Sequence, residues 1–212
     1  MDGAGYKWFQ LKMLKTQVKY LSFIVAYAIM QISGEVNIFM KVETGYLYHI
    51  KDEYFDVVKD EGLIKNHERG KMRPTYFTIK DGDILWFIPL STKVDKYKKI
   101  IKEKIRKYHK CNSIIIGTIA ESETAILIQN AFPTLEKYIS HYHIKNKAPV
   151  RVPDDLKNEI VDNFNTLLAL KSQGTNLFFP DIDKLKQMMF DELKKILIKI
   201  LRSFSLYNKK VI

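Results

Sequence analysis

Thr75-Tyr-Phe-Thr-Ile-Lys-Asp-Gly-Asp-Ile-Leu-Trp-Phe-Ile-Pro-Leu-Ser91 is the stretch whose reading decides the fold. Thr75–Ile79 and Ile84–Ile88 are rich in β-branched and aromatic residues, and Asp81-Gly82 lies in the polar link between them. Glycine takes left-handed backbone angles without steric cost, so Asp-Gly between two apolar runs predicts a tight β-hairpin. A similar pair follows, Ser113-Ile-Ile-Ile-Gly-Thr-Ile119 and Ala125-Ile-Leu-Ile-Gln129, joined by a short polar turn. Short links join antiparallel neighbours, whereas parallel strands need long crossovers. With Tyr46–Ile50 as a further β-prone segment, the expectation is an α+β fold: a single domain with a twisted antiparallel sheet and packed helices.

The helices are read from apolar spacing. Lys51–Lys59 gives one or two turns with Tyr54, Phe55 and Val58 on a face, and the polar stretch 62–71 reads as a loop. Asp95–Lys110 places Tyr97, Ile101, Ile105 and Tyr108 at helical spacing. Pro133–Tyr142 is grouped with the helices. Pro153-Asp154 opens a helix carrying Leu156, Ile160, Phe164, Leu167 and Leu168, which stops near Gly174. Asp181 can cap a last helix running to about Phe204.

Residues 1–39 differ in character. Lys12, Lys15 and Lys19 precede an apolar run, Leu21–Met30, that has the look of a secretory signal and is too short to span a bilayer. An amphipathic helix packed on the domain is a second reading. The third, which we favour, is that Met40 is the true start: Gly34-Glu35-Val36 permits a purine-rich ribosome-binding core just ahead of it. The expected organisation is thus an extension or untranslated leader over 1–39 and one domain over 40–212.

The chain has 212 residues, is 46% hydrophobic and 28% charged, and so contains enough apolar material to fold. Its formal net charge of +11 favours a polyanionic partner, whether nucleic acid, an anionic membrane or an acidic protein. The single cysteine, Cys111, excludes an internal disulfide and any multi-cysteine zinc site, and suits a cytoplasmic location. His141-Tyr142-His143 has the spacing of a strand ligand pair, but no cysteine or carboxylate set completes a metal site. No paired-carboxylate nuclease motif, P-loop, dinucleotide glycine pattern or nucleophile elbow is present, so no metal and no cofactor is expected.

Pro89-Leu90-Ser91-Thr92-Lys93 gathers two hydroxyls and an ammonium where a strand hands over to a helix. The free N–H groups of a helix start favour an anion, so a phosphate fits there; alternatively Ser91 or Thr92 merely caps the helix. The run Lys93–Lys110 holds nine Lys/Arg against Asp95 and Glu103, with Tyr97 and Tyr108 interleaved. That mixture suits nucleic acid, through phosphate neutralisation and base stacking, and also suits a plain solvated face. Membrane binding is disfavoured, because the run lacks a Trp/Phe/Leu face. Lys71 and Arg73 precede the strand expected to pair with the one ending at Ser91, so they can reach the same phosphate.

These residues resemble the ToxN/AbiQ-type toxins of type III toxin–antitoxin systems, and more closely their CptN/TenpN branch. The resemblance is carried by Gly45–Phe55, Lys71–Phe77, Trp86–Lys93 and Ile126–Pro133, and in order and spacing it covers about residues 45–190. In the ToxN form the strand-end element reads Thr-Ser-Pro-Lys, so Lys93 sits one place early, and Arg73 or Lys71 stands for a lysine ahead of the preceding strand. The resemblance implies a sheet like that of the MazF/Kid toxins and a metal-independent, sequence-preferring endoribonuclease. It implies inhibition by a small antitoxin RNA of pseudoknot-like repeats, which the toxin itself cuts from an array. It further implies a cyclic toxin–RNA complex, cellular or phage mRNA as substrate, and growth arrest or abortive infection, with no DNA or membrane partner.

On this reading the RNA supplies its own nucleophile, the 2′-hydroxyl, and leaves a 2′,3′-cyclic phosphate. Ser91 and Thr92 are expected to bind and position the phosphate, and Lys93 with Arg73 or Lys71 to stabilise transition-state charge. Tyr54, Lys96, Lys98, Lys99, Lys102 and Arg106 are the expected RNA-binding residues. A non-catalytic RNA-binding module is the alternative.

Overall fold

The computed structural model describes residues 42–68 and 70–208, so the extension expected over 1–39 lies outside the described residues. In chain order the elements are β1 (Leu47–Ile50), α1 (Asp52–Val58), β2 (His67–Glu68), β3 (Lys71–Met72), β4 (Thr75–Asp81), β5 (Ile84–Ser91), α2 (Val94–Tyr108), β6 (Ile115–Ile119), β7 (Ser122–Ile126), β8 (Phe132–Thr134), β9 (Ile139–Tyr142), β10 (Ile144–Lys145), β11 (Ala148–Pro149), α3 (Asp154–Ser172) and α4 (Ile182–Asn208). Lys41–Glu192 form one compact unit, and α4 continues past it from Leu193.

The expected hairpin is the centre of the sheet. β4 and β5 pair antiparallel from Thr75↔Pro89 to Asp81↔Ile84, with Gly82 at φ +63 at the tip. β5 does not alternate: all eight of its residues are buried, because both faces and both edges are covered. Its second edge pairs first with β8 (Leu85↔Thr134 to Phe87↔Phe132) and then with β7 (Leu90↔Ile126, Ser91↔Ala125). Pro89 falls at the handover between these two partners, where a residue without an N–H costs the ladder least. The strand order is β6-β7-β5-β4-β1-β9, with β8 on β5. Register shifts at Phe77/Ile79 and His49/Ile50 add local twist.

One face of the sheet carries α3, whose Leu156, Ile160, Phe164 and Leu167 are buried at the spacing read from sequence. Phe164 packs on Trp86 with ring centroids 5.3 Å apart. Gly117 makes room for Leu156, since a Cβ there would lie 2.6 Å from its Cδ2. Tyr48, Phe77, Phe87 and Phe132 form a chain of contacting rings in the core, each a burial worth about 1.5–3 kcal/mol. By contrast α2 has no buried residue; only Tyr97, Ile100 and Ile101 lean on Ile114, Ala125 and Leu127. The Asp181 carboxylate accepts the Lys184 N–H at 3.1 Å, as a cap for α4 should.

Three local expectations are corrected. Pro133–Tyr142 is not helical: it contributes β8, a single 3-10 turn at Glu136–Tyr138, and β9, which pairs with β1. Pairing with neighbours on both sides outweighs weak helical spacing there. The return strand of the second hairpin is Ser122–Ile126, not Ala125–Gln129, because Ala120 and Glu121 take the turn with φ of 47° and 64° despite lacking glycine. The loop at 62–71 carries the short β2–β3 pair.

Candidate active site

Where β5 ends, the sheet opens into a cavity of about 440 Å³. Its polar wall comes from four separate places in the chain. Lys71 and Arg73 lead into β4, Ser91 and Thr92 end β5, Ser122 and Thr124 lie on β7, and His143 and Lys145 lie at the β9–β10 junction. Leu47, Met72, Pro74, Leu90, Ile119 and Val150 give it apolar sides. No carboxylate among the described residues lines it, so the cavity is strongly positive.

Register explains the convergence. Thr75 lies opposite Pro89, which sets the residues just before β4 beside those at the end of β5. Arg73 is held there from both sides. Its Nη1 donates to the Leu90 carbonyl at 2.7 Å, its Nε to the Lys65 carbonyl at 3.2 Å, and its backbone N–H to the Asn66 carbonyl at 2.6 Å. Asn66, buried, donates in turn to the Ile50 carbonyl and to Asp52, each at 2.8 Å. Bonds from Asn66 and His67 hold the Asp52 carboxyl below its usual range. The guanidinium is thereby fixed on the sheet and not merely tethered to a loop.

Ser91 is buried and its hydroxyl accepts the Lys93 N–H at 3.2 Å, while Thr92 is exposed at the cavity. Helix α2 itself starts at Val94 with Lys93 as its cap and no side-chain capping bond, so neither hydroxyl closes the helix as a conventional N-cap. The Lys145 ammonium donates to the Ala120 carbonyl and, at 3.3 Å, to the Ser122 hydroxyl. The positive-φ turn between β6 and β7 thus positions a cation at the cavity wall.

Three histidines cluster behind this wall. His49 on β1 lies opposite His141 on β9, with rings stacked at 4.8 Å, and its Nε2 is 3.0 Å from Nδ1 of His143. His49 is 8% exposed; burial, with His143 and His141 beside it, lowers its pKa to about 4 against a weak opposing pull from the Arg73 backbone. Burial, His141 and Lys145 also lower that of His143. Among the described residues no group of three or more His, Cys, Asp or Glu is arranged to hold a metal ion, and no helix is long and apolar enough to cross a membrane.

The residues expected from sequence are placed unevenly. Lys71, Arg73, Ser91 and Thr92 share the cavity. Lys93 does not line it and caps α2 instead. Tyr54 is corrected outright: it is 0% exposed, its hydroxyl donates to the Pro133 carbonyl at 2.8 Å and its ring stacks on Phe132, so it is a core residue. Lys96, Lys98, Lys99, Lys102 and Arg106 are exposed along α2, with Lys98 paired to Glu123 at 2.7 Å. Sequence reasoning misses Lys145 and weighs His143 only as half of a strand ligand pair for a metal. The sign that pointed to His143 was the alternation of His141 and His143, which on a strand puts both on one face.

No family model matches the chain, and no curated protein does. Solved structures with the same fold do exist. AbiQ, a lactococcal anti-phage endoribonuclease belonging to the type III toxin–antitoxin system, matches with a TM-score of 0.58 and 13% identity, over 72% of this chain and 99% of AbiQ. A structure from work on selective toxin inhibition by a non-coding RNA pseudoknot, in bacterial type III toxin–antitoxin systems, matches with a TM-score of 0.51 and 14% identity, over 71% and 98%. At such identities the likeness is one of fold.

Proposed function

We propose that this chain is an endoribonuclease toxin of the type III toxin–antitoxin kind. The observation that carries this reading is the meeting of Lys71, Arg73, Ser91 and Thr92 in one positive cavity, on a fold shared with AbiQ. RNA brings its own nucleophile. The 2′-oxygen attacks the adjacent phosphorus, the bond from phosphorus to the 5′-oxygen breaks, and the products carry a 2′,3′-cyclic phosphate and a 5′-hydroxyl. Such a step needs charge stabilisation and proton transfer, and neither demands a metal. Arg73, with its fork fixed beside Ser91, and Lys71 stabilise the phosphorane; Ser91 and Thr92 donate to its oxygens. Lys93 and the exposed cations of α2 (Lys96, Lys98, Lys99, Lys102 and Arg106) take the flanking phosphates. The apolar side of the cavity accepts a base and supplies sequence preference.

An antitoxin RNA of pseudoknot-like repeats, cut from its array by the toxin and held in a cyclic complex, would occupy this same surface and keep the enzyme from cellular or phage mRNA in the cytoplasm. The CptN/TenpN branch and a domain beginning near Met40 are part of this proposal. One observation favours the second reading, a non-catalytic RNA-binding module: the Ser91 hydroxyl is already engaged in a local turn with Lys93. Incubating purified protein with RNA in EDTA separates the two. Cut RNA with cyclic-phosphate ends is the expected result; bound but intact RNA would decide for the module.

A further inference from the structure

We infer that His143 is the general base that takes the proton from the attacking 2′-hydroxyl, and that His49 behind it is a positioning residue that fixes the ring tautomer this needs. The inference deepens the endoribonuclease reading and rests on it.

The chemistry calls for an acceptor at the cavity, and few groups there qualify. The Arg73 guanidinium has no lone pair to offer. The serine and threonine hydroxyls are too weakly basic, and the Lys145 ammonium is bound as a donor to Ala120 and Ser122. No described carboxylate lines the cavity. His143 and Lys71 remain. Of these, His143 is held rigidly: its N–H donates to the Leu47 carbonyl at 2.8 Å and its carbonyl accepts the Val150 N–H at 2.9 Å. Its ring is half-exposed at the cavity, with Nδ1 turned back to His49 and Nε2 left for a ligand.

Two neutral imidazoles sharing one hydrogen bond hold one proton between them, which leaves two arrangements. In the first, His143 Nδ1 donates to His49 Nε2; His143 Nε2 is then a bare acceptor and His49 Nδ1 carries a hydrogen. In the second both protons move over, and His143 presents N–H to the cavity. Base catalysis requires the first arrangement; the bond between His49 Nε2 and His143 Nδ1 is the one the pair makes, while the buried Nδ1 of His49 has no hydrogen-bond partner among the described residues. Both rings are kept neutral by burial and by the positive charge around them. The groups facing His143 are His49, His141, Lys145 and, across the cavity, Arg73 and Lys71, with no described anion among them. A base that stays unprotonated near neutral pH is what the first step requires.

The step balances. As the bond from the 2′-oxygen to phosphorus forms, its proton passes to His143 Nε2 and the ring becomes imidazolium. As the bond to the 5′-oxygen breaks, that oxygen takes a proton from the Lys71 ammonium. His143 and Lys71 then re-equilibrate with water.

The test has two arms on the full chain. Nitrogen-15 histidine spectra of the wild-type protein should show His143 protonated at Nδ1 and bare at Nε2; the reverse tautomer would overturn the base assignment without any variant. Single-turnover cleavage in EDTA should then slow about 10²–10⁴-fold in His143→Gln, with affinity for a 2′-deoxy, uncleavable RNA retained and the acid limb of the pH profile lost. His49→Leu should cost about tenfold. His49→Gln, whose amide oxygen takes the place of Nε2 and can still accept from Nδ1–H, should recover most of that. A His143→Gln protein that cuts at the wild-type rate and leaves cyclic-phosphate ends would sink this role and leave the proposed function standing. A wild-type protein that cuts no RNA would end both.

Discussion

The cavity and helix α2 are the two basic regions of this molecule, and they hold their charge in opposite ways. In the cavity, Arg73 and Lys145 are bonded to backbone carbonyls and set against apolar walls, so their positions are decided before any ligand arrives. Along α2, Lys96, Lys98, Lys99, Lys102 and Arg106 stand exposed on a helix with no buried residue, and the described ion pair, Lys98–Glu123, is itself an exposed one. Lys104, which donates to the Ser113 hydroxyl and to the Gln129 side-chain oxygen, is instead held against the sheet. Fixed charge in a partly enclosed site stabilises a transition state, because no reorganisation is needed at the moment of reaction. Loose charge in solvent attracts a polyanion and is screened by salt. Similar residue types in one chain therefore do different work, and the difference is one of preorganisation.

Arg73→Ala should give the largest separation between the regions. Loss of a preorganised donor lowers single-turnover cleavage about 10²–10³-fold, with little change in affinity for uncleavable RNA; Arg73→Lys should stay impaired, since the planar fork is gone. Replacing Lys99, Lys102 and Arg106 together by Gln should do the converse. The slope of log affinity against log salt shrinks by about 2, while the rate at saturating RNA is unchanged. A rate loss in that variant would show that α2 belongs to the reacting site after all.

Acid stability sharpens the contrast further. The pKa of His49 falls from its ordinary 6.5 to about 4 on folding, so the unfolded chain binds the extra proton between those values. Stability from this group is present above pH 6.5 and is lost as pH drops toward 4, with a slope of up to about 1.4 kcal/mol per pH unit. Denaturant melts across that range should show a smaller slope in His49→Phe. The smallest effect concerns a residue belonging to neither region. Tyr54→Phe, which removes the hydroxyl that donates to Pro133, should cost about 1 kcal/mol in a denaturant melt and leave cleavage untouched.

Much of this was legible beforehand. The Asp81-Gly82 hairpin, the buried spacing of Leu156, Ile160, Phe164 and Leu167, and the meeting of 71–73 with 91–92 all follow from local signals, the last because pairing of adjacent strands fixes what stands beside a strand end. Tyr54 was misplaced because one aromatic on a short amphipathic helix reads alike whether it faces substrate or core; only its contact with Phe132 tells. His143 and Lys145 reach the cavity through pairing of β9 with β1, a partner more than 90 positions earlier in the chain for the His49–His143 bond. No periodicity within Pro133–Tyr142 encodes that pairing, and the Ala120-Glu121 turn that receives Lys145 lacks the glycine that announces such turns.

The central claim is that the cavity's fixed cations and hydroxyls serve an RNA that attacks itself. The direct measurement maps a cleavage site in EDTA and then replaces the nucleotide on its 5′ side by its 2′-deoxy form. The account predicts that cutting at that position stops while binding is kept. Continued cutting there, with a 5′-phosphate on the downstream product, would contradict it.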